Sequence, residues 1–133
     1  FGTEGTASVA RPGTLFIDHS TIHPEQTRML AHRAGELGAI WVDAPISGGP
    51  KSVETRSLIS WLGGDASHCE RAKDILKTYC ARMNYMGPSG SGQVAKSCNQ
   101  TIVTNTIAVW AEMLEYAASQ RLDLSGMRHA CAA

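Results

Sequence analysis

Two short apolar runs separated by one stretch of helical periodicity constrain this chain more than any other feature. Leu15-Phe16-Ile17-Asp18 follows a turn at Pro12-Gly13-Thr14 and ends in an acid, and Ile40 to Ala44 forms a second run closed by Pro45. Between them, Pro24 stands where the first residue of a helix loses no N–H bond, and Met29, Leu30, Ala34 and Leu37 recur at helical spacing until Gly38. A helix of about four turns between two buried strands is the right-handed crossover unit of a parallel sheet. The order then repeats. Leu58 to Leu62 predicts a third strand, and Gly63-Gly64-Asp65 leads into a helix from about Ala66 to Tyr79 with Asp65 as N-cap. Asn84 to Met86 predicts a fourth strand running into Gly87, so the expected class is α/β with a doubly wound sheet.

Beyond a glycine-rich turn, Gln93 to Gln120 contains neither proline nor glycine and predicts a helix roughly 40 Å long. That is too long to cover the sheet of so small a domain, so the chain is expected to pass into a second, helical domain. With 133 residues, parts of two domains fit. The 12 basic and 12 acidic side chains cancel, and a charged fraction of 18% lies below the roughly 25% of an average soluble protein. This balance argues against electrostatic binding of nucleic acid or of an anionic membrane. No stretch approaches the roughly 18 apolar residues that span a bilayer, and the first residues lack the regions of a signal peptide, which predicts a cytoplasmic protein. Cys69, Cys80, Cys98 and Cys131 form neither a C-x-x-C pair nor a zinc pattern and are expected as buried free thiols. The chain opens on Phe1 and stops at Ala133 just after a fresh helix start, so both ends read as cut.

Gly87-Pro88-Ser89-Gly90-Ser91-Gly92-Gln93-Val94 follows a strand, opens a helix and nearly spells a phosphate-binding loop. The lysine and hydroxyl that such a loop needs are replaced by Gln93 and Val94, which argues against a nucleoside triphosphatase. What survives is a helix N-terminus behind glycines, a general place for an anion or for close packing. One turn further, Lys96, Asn99 and Gln100 stand three and four apart, so an ammonium and two carboxamides share one helix face; the plain reading is a solvated polar stripe. Ser47, Gly48 and Gly49 follow the strand that ends at Ala44 and Pro45, at the carboxyl edge where ligands of this class bind. Two glycines there expose N–H groups that suit a carboxylate, although an ordinary tight turn fits equally. Asp18, Ser20 and Thr21 end the neighbouring strand and are expected to face the same crevice. His19 and His23 lie in a loop without a third ligand, so no metal site is expected.

Four stretches together resemble the β-hydroxyacid dehydrogenase family: Leu15 to Pro24, Asp43-Ala44-Pro45-Ile46-Ser47-Gly48-Gly49, Gly63-Gly64, and Gly90-Ser91-Gly92-Gln93-Val94-Ala95-Lys96-Ser97-Cys98-Asn99. The family includes 3-hydroxyisobutyrate dehydrogenase and 2-hydroxy-3-oxopropionate reductase, with 6-phosphogluconate dehydrogenase as a larger relative. The resemblance implies the C-terminal part of a Rossmann-type parallel sheet over residues 1–86, then the long first helix of an all-α domain over 87–133. It implies NAD or NADP as cofactor, a small hydroxyacid as substrate and a homo-oligomer for the whole protein. Lys96 falls on the catalytic lysine, and Ser47, Gly48 and Gly49 fall on the motif that holds the acid's carboxylate. Thr21 falls on the nicotinamide side, to which Ser20 and Gly92 are also assigned.

The position of the family's catalytic-site asparagine is Gln100, one methylene longer, while Asn99 matches the asparagine often found beside it; both are assigned to substrate binding. Lys51 and Arg56 stand where small residues or glycine are usual, and Arg121 replaces the glycine that usually ends the long helix. These departures motivate a second reading, a non-catalytic binding or scaffold descendant of the fold. The resemblance places the G-x-G-x-x-G fingerprint before Phe1 and the rest of the helical domain after Ala133.

Overall fold

The computed structural model describes Gly2 and residues 5–131. After a 3-10 turn at Thr6–Val9, the chain runs β1 (Leu15–Asp18), α1 (Pro24–Glu36), β2 (Ile40–Asp43), β3 (Ile46–Ser47), α2 (Gly49–Glu54), β4 (Leu58–Gly63), α3 (Ala66–Leu76), β5 (Cys80–Gly87), α4 (Ser91–Ser119) and α5 (Leu124–Cys131). It divides into two compact units, Phe1–Ser97 and Cys98–Ala133, with the division inside α4.

In the first unit, β1 and β2 pair in parallel, with Leu15 opposite Ile40 and Asp18 opposite Asp43, joined by α1 as the crossover unit requires. Pro24 is in the first turn of α1, and the His23 ring accepts the Glu25 N–H as its cap. The sheet is mixed rather than wholly parallel. β2 and β3 form one bent strand, interrupted at Ala44-Pro45, that runs antiparallel to β4, with Asp43 opposite Gly63 and Ile46 opposite Ser60. The link from Ser47 to Leu58 holds only the six-residue α2, shorter than the dozen or more residues a parallel return needs. β5 again runs parallel to β4, with α3 as its crossover, and Asp65 caps α3 by accepting from the Ser67 and His68 N–H groups.

β4 buries Leu58, Ser60 and Leu62 while Ile59 and Trp61 are half-buried, the alternation of a two-faced strand. Leu58 and Leu62 join Val42, Ala44, Cys69, Ala72, Leu76 and Cys80 in one core. Of the four cysteines expected as buried thiols, only Cys69 and Cys80 are; Cys98 and Cys131, on α4 and α5, are exposed, and all four are free. Arg56, just past α2, and Arg121, just past α4, have φ of 54° and 58°. Both take the left-handed position that closes a helix and that glycine fills without cost.

In the second unit Ala117, near the end of α4, is buried. Arg121 and Leu122 return their N–H groups to Ala118 and Ala117. Ile102, Ile107, Val109 and Tyr116 are exposed along α4. Among the described residues no helix is long and apolar enough to cross a membrane.

Candidate functional site

Asp43, at the end of β2, is fully buried. A buried carboxylate needs donors, and they come from the glycine-rich turn. Gly90 N donates to Asp43 Oδ1 at 2.9 Å and Gln93 N to Oδ2 at 3.1 Å. The N–H groups at the start of α4 are thus satisfied by the protein's own anion, so the anion place left open by the near phosphate-loop sequence is already filled. Burial pushes the Asp43 carboxyl above the usual aspartate range, and these donors offset part of the rise.

The approach is tight. A Cβ on Gly63 would lie 2.5 Å from Asp43 Oδ2, and one on Gly92 would lie 2.4 Å from the Trp61 carbonyl oxygen and 2.8 Å from Asp43 Oδ2. Gly92, assigned from sequence to the cofactor side, is buried in that packing.

Gln93 is also fully buried. Its side chain reaches back to the loop after β1: Oε1 accepts from Ile22 N at 3.2 Å, and Nε2 donates to Ser20 O at 2.8 Å. Ser20 and Thr21 are exposed on that loop. Beside them, His19 Nδ1 donates to Ala44 O at 2.6 Å, and Nε2 meets the Tyr79 hydroxyl at 2.8 Å.

One turn along α4, Lys96 is 7% exposed. Its Nζ donates to Ile46 O at 2.8 Å and stands 6.0 Å from the centroid of the Trp61 ring. Burial holds the ammonium below the ordinary lysine range. The Ile46 carbonyl precedes Ser47 directly, so the lysine and the predicted substrate loop meet.

Ser47 lies in β3 rather than in a loop, and Gly49 already begins α2. Gly48 has φ of 134°, and a Cβ there would lie 2.6 Å from Ser52 Cβ, so the turn needs glycine on both counts. Asn99 and Gln100 belong to the second unit. Asn99 is half-buried, and its Oδ1 has no hydrogen-bond partner among the described residues; Gln100 is exposed. The Lys51 side chain is exposed on α2.

The family model described as the NAD binding domain of 6-phosphogluconate dehydrogenase matches residues 1–87. The chain belongs to that family. The chain is 32% identical over 130 residues to the 2-hydroxy-3-oxopropionate reductase of Escherichia coli K12, covering 98% of this chain and 44% of that protein. The Mycobacterium tuberculosis 3-hydroxyisobutyrate dehydrogenase solved with L-serine superposes with a TM-score of 0.81 at 35% identity, over 89% of this chain and 40% of that one. A structure described as Psf3 in complex with NADP+ and 2-OPP gives a TM-score of 0.90 at 26% identity, over 97% and 45%. The chain therefore spans less than half the length of these relatives, and the resemblance read from its motifs is borne out.

Sequence reasoning missed Asp43 and Gln93 as parts of the site. Asp43 was visible as the acid that ends an apolar strand, and Gln93 as the residue that breaks the phosphate-loop pattern. Neither signal names the partner 50 and 71 positions away.

Proposed function

We propose that this chain carries the lysine and the substrate loop of an NAD(P)-dependent oxidoreductase that interconverts a small β-hydroxyacid, such as 3-hydroxyisobutyrate or a glycerate-like acid, with its semialdehyde or keto acid. Residues 1–86 are read as the second half of the dinucleotide domain and 87–133 as the start of a helical substrate and dimerisation domain. The whole protein is read as a homo-oligomer.

The observation that carries this reading is the Lys96 ammonium on the Ile46 carbonyl, one residue before Ser47-Gly48-Gly49. Ser47 and the N–H groups of Gly48 and Gly49 hold the acid's carboxylate, which brings the hydroxyl beside Lys96. Nearly buried Lys96 loses its proton more readily than a solvated lysine, so the neutral amine takes the hydroxyl proton on oxidation and the ammonium returns it on reduction. Asn99 and Gln100 are read from the family resemblance as substrate-binding residues. The exposed Ser20 and Thr21, on the loop that Gln93 holds, fit the nicotinamide end of a dinucleotide through hydroxyl and main-chain groups. When bound, that cofactor accepts or gives the hydride. Excluding water around Lys96 and fixing donor and acceptor are the protein's part.

The test is turnover of 3-hydroxyisobutyrate with NAD+ or NADP+, and of tartronate semialdehyde with the reduced cofactors, by the full-length product of the reading frame. Turnover that disappears in Lys96→Ala is expected. Cofactor binding without turnover of either substrate would favour the scaffold reading.

A further inference from the structure

We infer that Gln93 is a positioning residue: its carboxamide straps the Ser20–Ile22 segment to the helix that carries Lys96, and so fixes the cofactor side of the site against the proton-transferring side. The inference rests on the oxidoreductase reading for its functional consequence and on geometry for the strap. Gln93 is fully buried, although glutamine is among the residues least often found inside. Both ends of its amide are used, one accepting from Ile22 N and the other donating to Ser20 O. No isosteric side chain does both: leucine does neither, and glutamate accepts from Ile22 but sets a carboxylate against the Ser20 carbonyl.

The far end of the strap is held as well. The Gln93 main-chain N–H is bonded to buried Asp43, so the residue cannot slide along β2. Lys96 follows Gln93 by three residues on the same helix and therefore shares its face. A shift of the loop relative to α4 then changes the distance between whatever the loop binds and the Lys96 amine, while the Ser47-Gly48-Gly49 segment stays where β4 holds it through Ser47 and Ile59. Loss of the strap is thus expected in kcat and not in substrate KM.

Two measurements on Gln93→Leu and Gln93→Glu test this, with Gln26→Leu as an exposed control on α1. In this chain, amide exchange of Ile22 should accelerate about tenfold or more in Gln93→Leu, while the Thr27 and Cys69 amides inside α1 and α3 keep their protection. In the full-length product, kcat should fall by about tenfold to a hundredfold with the hydroxyacid KM within about threefold. Gln93→Glu should retain more Ile22 protection than Gln93→Leu and still lose kcat. Unchanged exchange at Ile22 would overturn the strap, as would an unchanged kcat with only KM affected. If the parent protein turns over no hydroxyacid while Ile22 responds as expected, the oxidoreductase reading fails and the strap stands. Turnover in the parent with no response at Ile22 gives the converse.

Discussion

Replacing Gly92 by alanine should destabilise the first unit, whereas the same change at Gly35 should stabilise it. Both glycines lie within helices, Gly35 near the end of α1 and Gly92 at the start of α4. Helix propensity alone favours alanine at each by about 1 kcal/mol. At Gly35 a Cβ meets nothing within 4 Å, so the gain stands. At Gly92 a Cβ lies 2.4 Å from the Trp61 carbonyl oxygen and 2.9 Å from that of Asp43. Those atoms belong to the main chain of β4 and β2, and no change of rotamer moves them. Ordinary contact begins at 3.4 Å, so the start of α4 has to withdraw by about 1 Å. Withdrawal stretches the bonds from Gly90 and Gln93 to the Asp43 carboxylate, now 2.9 and 3.1 Å, out of range. At about 1.5 kcal/mol or more for each bond to a buried charge, less the propensity gain, the net loss is about 2 kcal/mol or more. Urea unfolding followed by tryptophan fluorescence in a Trp110→Phe background reads this directly, because the remaining Trp41 and Trp61 report on the first unit. Gly92→Ala as stable as the parent chain, or stabilised like Gly35→Ala, would refute the close packing around Asp43.

Arg56→Gly and Arg121→Gly should each stabilise the unit they belong to, by about 0.5 kcal/mol, since relief of the left-handed backbone is partly offset by a freer unfolded chain; the same denaturation experiment decides the sign. Two of the four thiols, Cys98 and Cys131, should react rapidly with a chromogenic disulfide. Cys80 should lag because it is buried, and so should Cys69, whose thiol burial pushes up to about 11; four fast thiols in the folded protein would contradict the core assignment. Trp61→Leu should move the rising limb of the pH profile of hydroxyacid oxidation to lower pH. Burial already displaces Lys96 downward, and removing an aromatic face 6.0 Å from the ammonium withdraws about 0.5 kcal/mol of support for the charged form. Oxidation needs the neutral amine and so rises with pH through the Lys96 value, whereas reduction falls. A limb that stays in place or moves upward would show that Trp61 does not act on Lys96.

Much of this fold is legible because its signals are local. Pro24 opens α1, Asp65 caps α3, and the apolar runs at Leu15 and Ile40 become neighbouring parallel strands. The short elements β3 and α2 escape because two residues and six residues rich in glycine, proline and polar side chains carry no period. Strand direction in β4 escapes because side-chain alternation reads the same both ways, and only the short link shows that the chain turns back. In the site, Lys96 and Ser47-Gly48-Gly49 stand out by residue type and spacing. Asp43 and Gln93 have meaning only through partners far along the chain, and a single sequence does not pair them. The positive φ of Arg56 and Arg121 likewise explains two positions that composition marks only as unusual.

The proposed role of Lys96 as the proton-transferring group of a hydroxyacid oxidoreductase stands or falls with Lys96→Met in the full-length product. Single-turnover oxidation of 3-hydroxyisobutyrate should be compared with the parent at matched cofactor saturation. The expected rate is lower by about a thousandfold, within the range for loss of a general base, with NAD(P)H affinity unchanged. A Lys96→Met enzyme that reduces the cofactor at a rate within about threefold of the parent would contradict it.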